Sequence, residues 1–163
     1  MIGGAGVYVT SRDAPALLGI SDSSIGVNGI TSSSVGVMGS SFGTGVGVRA
    51  TGNGTSGSAL DIRNGALRVS GSTRPAFQHT ATSGVGGNIA GNLTRIDHPL
   101  LNGDPTAMVF IEHVYGPDPS AFLYIVGGVG AFYDTGLGRW TIYRENETPM
   151  PVGARFNVLV IKQ

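Results

Sequence analysis

No cysteine occurs in the 163 residues, which removes disulfides, thiolate nucleophiles and Cys-ligated zinc or iron–sulfur centres in one step. Charge is scarce too. Ten basic and ten acidic residues cancel, the only lysine is Lys162, and the arginines are scattered rather than gathered into a run. Neither nucleic acid nor an anionic membrane therefore finds a basic footprint. No apolar run approaches the roughly 20 residues that cross a bilayer, so membrane insertion is not expected. The opening MIGGAGVYVTSRDAP also has neither the basic region nor the apolar stretch of a signal peptide. Sustained helical periodicity is missing throughout, which leaves an all-β chain.

What the chain does have is glycine, 28 residues of it. The glycines do not fall at every third position and prolines number only 8, so collagen is excluded. A hydrophobic content of 40% gives the chain apolar surface to bury and argues against disorder. Much of the glycine lies in a repeat over the first seventy residues: Ala16-Leu17-Leu18-Gly19, Gly26-Val27-Asn28-Gly29, Gly36-Val37-Met38-Gly39, Gly47-Val48-Arg49-Ala50 and Ala59-Leu60-Asp61-Ile62. The apolar anchors Leu17, Val27, Val37, Val48 and Leu60 are spaced 10, 10, 11 and 12 apart. Polar connectors such as Ser21-Asp22-Ser23-Ser24 and Thr31-Ser32-Ser33-Ser34 separate them, and these residue types favour turns.

Each unit reads as a short β-strand and a turn, too small to bury its own apolar face. A three-sided solenoid needs about 18 residues or more per coil at a strand rise of about 3.3 Å. Two geometries remain, a two-sided single-chain β-roll or a prism to which three identical chains each give one face. The trimer is preferred, because it closes by symmetry and protects strand edges. Asn64-Gly65, within Ile62–Gly71, predicts a hairpin turn.

From about Asn88 onward the only tryptophan, most aromatics and most prolines appear. Strands are expected over Asn92–Ile96, Ala107–Val114, Phe122–Val126, Gly130–Tyr133, Arg139–Tyr143 and Ala154–Ile161, with Asp134–Gly138 as a hairpin loop. Met108, Phe110 and Glu112 alternate with Val109, Ile111 and His113, as a half-buried strand requires. The expected organisation is a Gly/Val-rich β-repeat stalk over 1–75, prism-like or β-helix-like and trimeric, a connector over 76–91, and a small antiparallel β head over 92–163.

The repeats, together with Thr73-Arg74-Pro75-Ala76-Phe77, Ile96-Asp97-His98-Pro99-Leu100, Asn102-Gly103-Asp104-Pro105 and Pro149–Val158, resemble a group of bacterial surface-type proteins of unknown function. That resemblance covers nearly the whole chain and implies a repeat stalk with a small C-terminal β-domain, without an assigned activity. The repeats are also similar in composition to those of phage tail fibres and trimeric adhesins.

Chemistry-bearing motifs are few. Gly39-Ser40-Ser41-Phe42-Gly43 has the G-x-S-x-G spacing of a nucleophile elbow without the strand-to-helix turn that the motif requires. Gly52–Gly57 has the G-x-G-x-x-G spacing without a βαβ unit, so a repeat turn explains it. The histidines His79, His98 and His113 share no metal-ligand spacing, and only gathering around a threefold axis would make one of them, with His113 the best placed, a metal ligand. Asn102-Gly103-Asp104 and Asp118 are the weak calcium candidates, and Glu145-x-Glu147 is the nearest approach to paired carboxylates. Tyr115, Phe122, Tyr124, Tyr133, Trp140 and Tyr143 are core aromatics or a sugar-stacking surface, with Tyr115, Tyr124, Tyr133 and Trp140 the ligand candidates. No cofactor and no catalysis are expected. The expectation is a non-catalytic structural or adhesive module at a cell or particle surface, with a self-assembling filament or a lectin-like, glycan- or receptor-binding head as alternatives.

Overall fold

Asn157, Leu159 and Ile161 alternate with Phe156, Val158 and Val160, a period of two that puts the second set on one face of an extended strand. In the computed structural model, which describes residues 9–13, 15–20, 25–52, 57–115 and 123–163, that second set is buried and the first exposed. The chain divides into two units, Met1–Arg63 and Asn64–Gln163.

The second unit is all-β, with no helix among the described residues. Its strands are β1 (Ala76–Thr80), β2 (Ile89–Ala90), β3 (Leu93–Arg95), β4 (Met108–Val114), β5 (Val129–Asp134), β6 (Arg139–Arg144) and β7 (Arg155–Ile161). One antiparallel sheet has the order β1-β7-β4 and the other β2-β3-β6-β5. Phe156, Val158 and Val160 of β7 join Ile142 of β6 and Ile96, Leu101, Ala107 and Met150 in one buried cluster, so the two sheets share a core.

The β5–β6 hairpin forms where expected. Asp134 Oδ1 accepts from the N–H groups of Gly136 and Leu137 at 3.0 and 3.1 Å, and Gly138 takes a positive φ of 64° that other residues rarely adopt. The strands expected over 92–96, 107–114, 130–133, 139–143 and 154–161 are present within a residue or so of their ends.

Three expectations need correction. Leu123–Val126 forms no ladder among the described residues, and Phe122 lies outside them. The Val126 carbonyl is taken instead by the side chains of Arg144 and Asn146, at 3.2 and 2.9 Å. Ala76–Thr80, within the span expected as a connector, is β1, because Phe77 and His79 turn inward and the strand pairs with β7 from Ala76↔Leu159 to Thr80↔Arg155. Asn64 does take the positive φ of a turn asparagine, 53°, but no ladder flanks it. Ile62 and Leu67 stay exposed, and a lone two-stranded hairpin with no buried face is marginal in water.

In the first unit no strand is formed among the described residues, so the short strands expected of the repeats are not made within one chain. Across 25–52 no backbone–backbone hydrogen bond joins two residues, although the Thr31 hydroxyl accepts from Ser34 N–H at 3.2 Å. Consecutive repeats nevertheless lie against one another. A Cβ added at Gly19 would meet the Gly26 carbonyl oxygen and a Val27 methyl, both at 2.7 Å, and one added at Gly36 would meet the Gly29 carbonyl oxygen at 2.6 Å. The connector Ser21–Ser24 lies outside the described residues.

Candidate functional site: a polar pocket on the C-terminal unit

A connected polar group in the second unit begins at Asn88, just before β2. Its Oδ1 accepts from the N–H of Thr82 at 2.8 Å and from the Thr94 hydroxyl at 2.9 Å, while its Nδ2 donates to the Thr80 carbonyl at 2.8 Å. Because the Thr94 hydroxyl spends its one proton on Asn88, the 2.8 Å contact between Thr94 Oγ1 and His79 Nε2 has the imidazole as donor. His79 is therefore held as the Nε2–H tautomer. Its acceptor nitrogen Nδ1 has no partner among the described residues. Burial pushes the His79 pKa down to about 4, so the ring is neutral at physiological pH.

These groups border a pocket of about 410 Å³, lined by His79, Gly86, Gly87, Asn88, Arg95, Asp97, Leu137 and Arg139. The volume falls in the range of about 300–1,000 Å³ usual for small-molecule sites. Two arginines reach it in different states. Arg139, at the start of β6, pairs through Nη1 with Asp97 Oδ1 at 2.8 Å, and Asn102 donates to the same oxygen at 2.8 Å. Those two hydrogen bonds, Arg139 first, lower the Asp97 pKa. Arg95, the last residue of β3, has no ion pair or hydrogen bond from its guanidinium among the described residues. The lining thus carries one uncompensated positive charge. Leu137, 48% exposed, gives it an apolar edge.

The candidates singled out from sequence lie elsewhere. His113 is on the core-side face of β4, its ring 5.7 Å from Phe156 and its Nε2 buried without a partner among the described residues; burial lowers its pKa. Among the described residues no group of three His, Asp or Glu is arranged to hold a metal. Tyr133 and Trp140 face each other across β5 and β6, rings 5.9 Å apart and edge-to-face, and Trp140 Nε1 donates to the Asp104 carbonyl at 2.9 Å. Both are tied into structure. Tyr115 and Tyr124 form an exposed pair with rings 4.5 Å apart, and their hydrogen bond raises the Tyr115 pKa.

Asn102-Gly103-Asp104 is a braced turn. Asp104 pairs with Lys162 and accepts from the Thr106 hydroxyl and N–H at 2.7 and 3.0 Å, which together hold its carboxyl down at about 2. Around Ser40 and Ser41 there is neither strand nor helix, and Phe42 is fully exposed. Asp118 and residues 53–56 of the Gly52–Gly57 motif lie outside the described residues. Sequence reasoning weighed His79 only as an imidazole, and missed Asn88, Arg95 and Arg139. These residues are scattered over fifty positions, and only the β3–β6 pairing of Arg95 with Thr141 brings the arginines to one face.

A second surface feature is apolar. On the outward face of the β1-β7-β4 sheet, Met108, Phe110, Leu159 and Ile161 are 41–50% exposed, with Met108 opposite Ile161 and Phe110 opposite Leu159.

The second unit is thus a two-sheet antiparallel β domain carrying a polar pocket at one place and a bare apolar sheet face at another. Residues 61–160 match the family model described as a domain of unknown function, DUF7452, and the chain belongs to that family. The matched segment coincides closely with the second unit, so the repeats lie almost wholly outside the family's domain. No curated protein and no solved structure matches the chain.

Proposed function

We propose that this chain is a non-catalytic structural and adhesive module of a cell or particle surface, a homotrimer in which the repeats form a prism-like stalk and the C-terminal unit is the recognition head. One observation carries the reading. The repeat anchors Leu17, Val27, Val37, Val48 and Leu60 are 66–77% exposed in a chain whose consecutive repeats already stack as closely as glycine permits. Stacking along the repeats therefore leaves the apolar anchors and unpaired backbone groups bare, and packing against other copies of the chain is what would cover them. Exposed apolar surface on this scale marks an interface in a stable protein. The apolar face of the β1-β7-β4 sheet supports self-association of the second unit as well. The resemblance to bacterial surface-type proteins agrees with an exterior location.

The test is the absolute mass in solution by light scattering. Three times 16.6 kDa is expected. A stable species of 16.6 kDa with unchanged thermal stability overturns the assembly, and species that grow with concentration, visible by electron microscopy, replace the trimer with a filament.

A further inference from the structure

The pocket beside Asn88 has three chemically distinct walls. Arg95 offers a guanidinium with no internal partner among the described residues, mounted at the end of a strand paired on both sides. A free guanidinium in a concave, rigid setting is matched to a planar carboxylate, which it binds through two parallel hydrogen bonds. Opposite in character, His79 is fixed by Thr94 and Asn88 as a hydrogen-bond acceptor at Nδ1, a group suited to a hydroxyl donor and not to a carboxylate. The third wall is Leu137, with Gly86, where an added Cβ would meet nothing within 4 Å, contributing bare backbone that a ring can approach closely, and Gly87 packed against the Thr82–Ser83 backbone behind it. Asp97 and Arg139 close the rim as an ion pair, and the Asp97 carboxylate repels an anion that strays from Arg95.

Carboxylate, hydroxyls and a compact ring in one small molecule describe an acidic sugar. We propose that this pocket binds a carboxylate-bearing saccharide, the carboxylate on Arg95 and a ring hydroxyl donating to His79 Nδ1. The site rests on the reading of the second unit as the recognition head and supplies that head with a ligand class. It also accounts for the charge balance of the lining, where a neutral sugar leaves Arg95 unanswered.

The test is titration of the full chain with glucuronic acid and with N-acetylneuraminic acid, followed by NMR at the Gly86 and Gly87 amides, with glucose and inorganic sulfate as controls. Millimolar binding of at least one sugar acid is expected, about tenfold or more above glucose and above sulfate. Arg95→Gln weakens binding about tenfold or more, the scale of losing a charge-assisted hydrogen bond. Asp97→Asn strengthens it about threefold by removing the repelling carboxylate, a gain that misfolding does not produce. No binding of either acid, equal binding of glucose, or indifference to Arg95→Gln overturns the proposal. Sulfate binding as tight as the sugar acids overturns its saccharide part. Mass measured on the same samples separates the two readings. A trimer that binds nothing sinks the ligand and keeps the assembly, and a monomer that binds sinks the assembly and keeps the ligand.

Discussion

His79 illustrates how much a single buried ring commits the second unit to a protonation state. It sits 8% exposed near Phe156, its one N–H given to Thr94, and among the described residues no carboxylate pairs with it, since Asp97 across the pocket is held by Arg139 and Asn102. The unfolded chain takes up that proton near pH 6.5, whereas the folded chain does so only near 4. Between those values the unfolded state holds more protons, so stability is complete above about 6.5 and falls as pH drops through the window. The full loss for this group is about 3 kcal/mol. His98, stacked on Phe77 with ring centroids 4.1 Å apart, is also lowered, by burial first and Arg74 second, and adds in the same direction. Trp140, the only tryptophan, reports the second unit alone. Its fluorescence should show a melting temperature several degrees lower at pH 4.5 than at pH 7.5. His79→Gln, which cannot titrate, should reduce that difference, and an unchanged pH slope in the variant would show that the proton goes elsewhere.

Among the elements, β7 holds the most. It is the centre strand of its sheet, pairing with β1 over five residues and with β4 over seven, and its Phe156 is fully buried between His79 and His113. Phe156→Ala leaves a cavity that two strands and the opposite sheet border, at a cost of about 3–5 kcal/mol, read by denaturant unfolding of the full chain. A cost under about 1 kcal/mol would mean the sheets close around the gap. This strand was legible in the sequence, because Phe156, Val158 and Val160 announce one buried face by their spacing alone. So was β4, with the same alternation. β1 was not legible: Ala76–Thr80 is short, half polar and flanked by turn residues, and its partner lies some eighty positions away at β7. Leu123–Val126 misled in the opposite sense, an apolar run whose Val126 carbonyl answers side chains and no neighbouring strand. The pocket was least visible of all. Arg95, Arg139 and Asn88 carry no spacing signal, and the aromatics that did stand out, Tyr133 and Trp140, are a cross-strand pair holding the sheet and its loop together.

At the scale of the whole molecule the repeats set a packing problem that one chain does not solve. Every described residue from 9 to 63 is solvent-exposed, and valine and leucine, among the residues most often buried in folded proteins, supply the anchors. At Gly36 the absence of a side chain is needed for proximity and not for backbone conformation, since its φ is not positive while a Cβ there would lie 2.6 Å from the Gly29 carbonyl oxygen. Backbone cannot move aside as a flexible side chain does. Gly36→Ala therefore forces neighbouring repeats apart, at about 1–3 kcal/mol in each chain, and in the proposed trimer the strain would recur at the same level three times. Gly65 offers the matched control, because a Cβ there meets nothing within 4 Å and its φ is ordinary. Gly36→Ala should lower the temperature at which the assembled mass falls to 16.6 kDa, and Gly65→Ala should leave it unchanged. Trp140 fluorescence should remain native in both, since the strain is confined to the first unit. If Gly36→Ala dissociates no more readily than Gly65→Ala, the close stacking seen within one chain is not what the oligomer is built on, and the apolar face of Met108, Phe110, Leu159 and Ile161 becomes the surface through which the chains associate.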